Sequence, residues 1–216
     1  MPSFSIESDF SKFLEIIKSK NIKMIIFGET HGMLDDQKIQ NKIISSVKSH
    51  YFLYELLEDK KILTPKDFKY FLDKNDNEDF SIISKYKDLK STILLAQSKN
   101  ISLIGCDIKN LGRKNTKFLK IKEINPTVKK FEEILLAKRE KRQASVILKF
   151  LKDNHTLFVS VGDYHLRKES HLLNCLKKMK YLKVYPSLFG KAIFEPPSPE
   201  NLKYVKWVFE ESDENN

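Results

Sequence analysis

In KMIIFGETH, residues 23–31, an apolar run of strand length breaks off at a glycine and delivers an acid and an imidazole. A run this short and this evenly apolar fits a strand buried on both faces of a sheet. TLFVSVGDYH, residues 156–165, repeats the pattern and ends on Gly162, Asp163, Tyr164 and His165. Further runs at 51–56, 101–106 and 181–185 alternate with stretches of helical period at about 9–19, 35–49, 66–74, 80–99, 127–151 and 167–179. Thr64-Pro65 and Asn125-Pro126 each set a capping side chain ahead of a proline at the first helical position. Such alternation predicts an α/β fold of three layers, a mostly parallel central sheet flanked by helices. YVKWVF, residues 204–209, alternates with period two and predicts an antiparallel edge strand at the C-terminus.

A chain of 216 residues, 41% hydrophobic and 31% charged, is expected to form a single α/β domain over 1–208, followed by a disordered acidic tail over 209–216. No stretch reaches the roughly 18 consecutive apolar residues of a membrane span. The opening MPSFSIESD has neither a basic nor an apolar leader region, so a cytoplasmic location is expected. Cys106 and Cys175 have no cysteine neighbour for a metal pair or redox motif and read as reduced thiols. The net charge of +10 comes from lysines spread over nearly every segment, without an arginine-rich arm or an aromatic and basic alternation, so it reads as compositional rather than as a nucleic-acid footprint.

Ligands of open parallel sheets bind at the carboxyl ends of the strands. The residues at those ends are therefore the candidates for chemistry. The first strand delivers Glu29 and His31, the second Glu55, the third Asp107, the fourth Asp163, Tyr164 and His165. His50 and His155 precede strands and belong to the opposite edge, and His171 lies in a helix. The glycine at 28 would let the chain leave the strand sharply and approach a ligand. Asp35 and Asp36 open a helix, where their charge suits the dipole. On the helix over 127–151, at 100° per residue, Arg139 falls within about 40° of Val128, Leu135, Val146 and Phe150, on the stripe that faces the core. A guanidinium there needs a partner, and the strand-end acids are the natural ones. Arg142 is the substitute if the phase is shifted, while Glu140 on the flank reads as a solvated acid.

Cys106 beside Asp107 reads as core rather than as a nucleophile. No Gly-x-Ser-x-Gly elbow, P-loop or Gly-x-Gly-x-x-Gly is present, which sets aside serine-hydrolase, nucleoside-triphosphatase and dinucleotide readings. Two histidines, several carboxylates and an arginine remain, a set able to activate water directly or through zinc, manganese or a similar divalent ion. The tentative ligands are His31, His165, Glu55 and Asp107.

Taken in order, Gly28-Glu29-Thr30-His31, Glu55, Gly105-Cys106-Asp107, REKRQA (139–144) and Gly162-Asp163-Tyr164-His165 resemble the superfamily of erythromycin esterase-like, ChaN-like haem-binding and TraB/TIKI proteins. Its recurring helix signature is Arg-Asp-x-x-Met-Ala; here Glu140 stands for the aspartate and Gln143 for the methionine. The resemblance implies functional positions at Glu29, His31, Glu55, Arg139 and His165. It also implies either a hydrolase acting on an ester, lactone or peptide-type substrate, metal-dependent or not, or a haem carrier with Tyr164, His165 or His31 as axial ligand. In the hydrolase reading His31 is base or metal ligand, His165 second ligand or proton carrier, Glu29 and Glu55 orient them, and Arg139 holds an anionic group. The expected partner is a small-molecule or peptide substrate.

Overall fold

The computed structural model of the chain describes residues 4–30, 34–75, 89–109, 126–151, 155–189, 191–193 and 198–212. In chain order the strands are β1 (Phe4–Ser5), β2 (Met24–Glu29), β3 (Tyr51–Tyr54), β4 (Lys61–Ile62), β5 (Ser102–Gly105), β6 (Leu157–Gly162), β7 (Leu182–Leu188), β8 (Lys191–Ala192) and β9 (Val205–Glu211). The helices are α1 (Phe10–Ser19), α2 (Leu34–Ser46), α3 (Pro65–Asn75), α4 (Leu89–Ser98), α5 (Pro126–Leu151) and α6 (His171–Leu176). Most agree with the predicted segments to within a few residues. Residues 80–88 of the predicted fourth helix lie outside the described residues, as does most of the lysine-rich connection after β5.

The sheet runs β1-β9-β7-β2-β6-β3-β5-β4, with β8 paired to the far part of β7. Its inner strands β7, β2, β6, β3 and β5 are parallel, and the pairs involving β1, β4, β8 and β9 are antiparallel. Every residue of β2 and of β6 is buried, as a strand covered on both faces requires. Side-chain alternation divides them between two cores. Ile25, Phe27, Phe52, Tyr54 and Phe158 join Phe13, Ile43, Phe68 and Ile93 of α1 to α4, whereas Ile26, Leu53, Ile104, Val159 and Val161 join Ala144, Ile147, Leu172 and Leu176 of α5 and α6.

That distribution is a consequence of connection handedness. The chain moves outward from β2 to β3 and β5 with its helices on one face. It then returns to β6 and β7, and right-handed crossovers put the returning helices α5 and α6 on the other.

Local chemistry sets the boundaries. Thr64 and Asp67 cap α3 reciprocally, Asp67 Oδ2 accepting from Thr64 N at 2.9 Å and Thr64 Oγ1 accepting from Asp67 N at 3.2 Å. The predicted second strand stops early because Glu55–Leu57 winds into a 3-10 turn. The predicted last helix starts late because Asp163–Leu166 forms another, after which Ser170 caps α6. β9 forms the expected antiparallel strand at this edge of the sheet, with the two-residue β1 pairing to part of it. It also runs beyond the predicted domain end, with Phe209 1% exposed and Glu210 and Glu211 still in the strand, because its side chains complete the core against α1. Residues 213–216 of the predicted tail lie outside the described residues. Among the described residues no helix is long and apolar enough to cross a membrane.

Candidate functional site

The carboxyl edge gathers six charged side chains into one row on the α5/α6 face. Asp107, just past β5, accepts from Arg139 Nε at 2.9 Å and Nη2 at 2.6 Å. Arg139 Nη2 also donates to Glu55 Oε1 at 2.5 Å, so one guanidinium joins the ends of two parallel strands. Glu55 Oε1 lies 3.4 Å from His165 Nε2, and Glu55 Oε2 accepts from the backbone N–H of Gly162 at 2.6 Å. The other nitrogen of His165, Nδ1, is 3.1 Å from Glu140 Oε1. Glu140 receives Arg167 through Nη1 and Nη2 and the backbone N–H of His171 at 2.9 Å.

The signs alternate along Asp107, Arg139, Glu55, His165, Glu140 and Arg167, and every acid of the row has a cation on it. Asp107 and Glu140 have no exposed surface, and Glu55 and His165 are 3% and 4% exposed. Charges this deep are tolerated only when paired and hydrogen-bonded.

Burial by itself would lower the pKa of His165. The charge of Glu55 and the hydrogen bonds to Glu140 and Glu55 outweigh burial and the repulsion of Arg139, and together raise it from 6.5 to about 9. This favours the imidazolium at neutral pH, with Nδ1 hydrogen-bonded to Glu140 and Nε2 in an ion pair with Glu55. Burial also opposes the charge of Glu140, but its bonds from His165, Arg167 and the His171 N–H hold its pKa below the usual carboxylate value. For Arg139 the bonds to Asp107 and the charges of Glu55 and Asp107 overcome desolvation and keep the guanidinium charged.

The expected residues therefore divide. Arg139, Glu55, Asp107 and His165 meet as the strand-end and helical-phase arguments require. Glu29 belongs to the other face: its Oε2 accepts from Ser160 Oγ at 3.0 Å and lies 3.4 Å from both Tyr54 Oη and Gln40 Nε2, on the side covered by α2. Two residues along β2 separate it from Phe27, and strand alternation returns it to the same core. His31 lies outside the described residues. His50 and His155 sit at the opposite edge, with rings 5.0 Å apart and His50 Nδ1 accepting from Thr156 N, and Arg142 is exposed. Arg139, expected to hold an anionic group, spends its Nε and Nη2 on Glu55 and Asp107 instead.

Glu140 is the principal correction. Expected as a solvated acid, it is fully buried, because α5 packs on both the sheet and α6 and its buried arc is wider than one stripe. Its partner Arg167 has no counterpart among the expected residues. Asp36, expected to act only on the helix dipole, is buried and accepts from Thr30 N at 2.5 Å, while Thr30 Oγ1 donates to Asp163 at 2.8 Å and ties the β2 and β6 exits together. Gly28 is needed for a reason other than a turn. It lies inside β2, and a Cβ there would come within 2.6 Å of Leu166 Cδ1 and 3.0 Å of Asp163 Cα, so glycine makes room for the turn that carries His165.

Among the described residues no three His, Cys, Asp or Glu side chains are placed to hold an ion; His31, one of the four expected ligands, lies outside them. Both nitrogens of His165 face carboxylates, Nε2 toward Glu55 and Nδ1 toward Glu140. Tyr164, the alternative haem ligand, is 47% exposed, with the Arg167 guanidinium 4.5 Å from its ring centre. Cys106 is buried, and burial together with Glu55 and Asp107 pushes its thiol well above the ordinary value, which rules against a thiolate nucleophile. Compared with known proteins, the chain matches no family model, no curated protein and no solved structure.

Proposed function

We propose that the chain is a hydrolase of ester, lactone or peptide-type bonds in which His165 carries the proton. The observation that supports this is the His165 imidazolium held between Glu55 and Glu140 at the carboxyl end of β6. A buried histidine needs one carboxylate to stay charged; two set both of its N–H directions. The bond to Glu140 at 3.1 Å is the closer one, and the 3.4 Å approach of Nε2 to Glu55 is the looser. Nε2–H is therefore the proton that passes to a leaving oxygen or nitrogen, with Glu140 holding Nδ1–H so that the ring keeps its orientation. Arg139 fixes Glu55 and Asp107 and keeps the negative charge balanced when that proton leaves. A base deprotonates the attacking water, the role expected of His31.

The test is turnover of chromogenic esters, lactones and peptides by the purified chain. His165→Gln keeps the size and a hydrogen-bonding end but cannot carry a proton; it is expected to lose about 100-fold or more of kcat with an unchanged circular dichroism spectrum. His31→Ala is expected to do likewise. A substrate hydrolysed equally well by the wild type and by His165→Gln would overturn the proposal.

A further inference from the structure

Resting on that reading, we infer that the substrate carries a small anionic group, a carboxylate or a phosphate, and that the cleft beside the His165 turn receives it. The cleft, of about 170 Å³, lies between the turn after β6 and the strand β7, and its lining includes Arg167, Lys168, Lys183, Asp163 and Tyr185. Its size admits a few heavy atoms, one functional group rather than a whole polymer.

Three cations face it against one lining carboxylate, and their hydrogen bonds leave much of each unused. Arg167 gives three N–H contacts, two to Glu140 and one to the Tyr164 carbonyl at 2.9 Å, so two of the five donors of a guanidinium have no acceptor among the described residues. Lys168 is exposed and makes no ion pair among the described residues. Lys183 pairs with Glu210, which also accepts from Tyr185 Oη at 3.2 Å, and its ammonium lies 5.1 Å over the Tyr185 ring. Asp163 is occupied on its Oδ2 by Thr30. The acid in the lining is thus already engaged, while the cations keep donors to spare, which is the condition for binding an anion.

The cleft shares Arg167 with the charge row, so a bound anion sits one residue pair from His165: Arg167 touches Glu140, and Glu140 touches Nδ1. Recognition here would hold the substrate on the Nδ1 side of the ring, with the scissile bond carried past it toward Nε2. It also reassigns the anion-holding role, expected of Arg139, to a residue whose guanidinium is only partly used.

The experiment is a titration of the nitrogen-15-labelled chain with sodium phosphate and, separately, sodium acetate at constant ionic strength, monitored by NMR. Saturable shifts are expected for the amides of Asp163 to Lys168 and of Lys183 to Tyr185. Whichever salt saturates at lower concentration names the group. Lys168→Gln, an exposed change that disturbs no described pair, is expected to raise Kd about tenfold, as is Arg167→Gln, since losing one charge-assisted bond is worth about that factor. Lys149→Gln on α5, outside the cleft, is expected to leave Kd unchanged. Absence of saturable shifts with both salts, or equal weakening by Lys149→Gln, would overturn the inference. Because this reads binding and not turnover, it separates the two claims. Anion binding without hydrolysis of any substrate removes the proposed function and leaves the cleft an anion site without a substrate, and hydrolysis of neutral esters without anion binding removes the inference alone.

Discussion

Replacing His165 by glutamine should change the pH dependence of stability, and the surroundings of the ring set the size of the change. The ring titrates at about 9 in the folded chain against 6.5 when unfolded. A pKa raised by folding contributes stability that is complete below the unfolded value and is lost as pH rises through the folded one. At 1.36 kcal/mol per unit, the difference amounts to roughly 3 kcal/mol at pH 6 and falls below about 0.5 kcal/mol by pH 9. Glutamine does not titrate. It leaves Glu55 paired with Arg139 and Glu140 paired with Arg167, so neither acid is stranded and the variant should fold.

Urea unfolding of wild type and His165→Gln at pH 6, 7.5 and 9, monitored by circular dichroism, isolates this contribution, because every other titrating group is common to both chains. The stability gap between them should close by roughly 2 to 3 kcal/mol from pH 6 to pH 9. Two curves that run parallel across this range would refute the reasoning, since they would mean that His165 binds no more protons in the folded chain than in the unfolded one.

Arg139→Met should cost about 3–5 kcal/mol in the same urea assay at pH 7, because it leaves Glu55 and Asp107 buried without their shared cation. Arg139→Lys should restore little of it, since a point charge cannot reach both acids as the guanidinium fork does; a loss below about 1 kcal/mol in Arg139→Met would show that the acids are met by other groups. Gly28→Ala should destabilise by about 1–3 kcal/mol and reduce turnover further than stability, as the Leu166 side chain can rotate aside but the Asp163 backbone yields only by moving the His165 turn; unchanged kcat with lowered stability would detach Gly28 from the site.

Strand positions and the buried phase of Arg139 were legible because both depend on local periodicity, which the sequence displays directly. Which strand-end groups share a face was not. β2, β3 and β6 are apolar on both sides, so alternation alone cannot say whether Glu29 hangs with Glu55 or away from it; the answer depends on where each strand begins its pleat relative to its neighbours. Glu140 departs from its expected place for a related reason. A single stripe describes a helix with one neighbour, and α5 has two. Arg167 has no periodic signal at all, as it comes after a 3-10 turn whose geometry is set by packing on Gly28. The tail boundary failed because Phe209, the last apolar residue of an alternating run, is held by aromatic neighbours that precede it by the length of the chain.

The charge row also bears on why a small α/β chain would bury four ionic groups and half-bury two arginines beside them. Hydrophobic residues of similar volume commonly stabilise such positions as well as or better than ion pairs do, so stability alone gives weak grounds for the arrangement. What it does supply is one protonated ring with both donors directed, neutralised on either side, at the strand ends where the chain leaves the sheet. Five of the six groups turn inward upon one another; Arg167 alone also lines the cleft. Under the proposed function, an anion taken by the two unused donors of Arg167 would add negative charge beside Glu140 and raise the affinity of the ring for its proton. Anion binding and proton delivery would in that case oppose each other until the scissile bond begins to break and negative charge appears beside Nε2. In the proposed reaction such a coupling would favour proton transfer only when the leaving group develops charge.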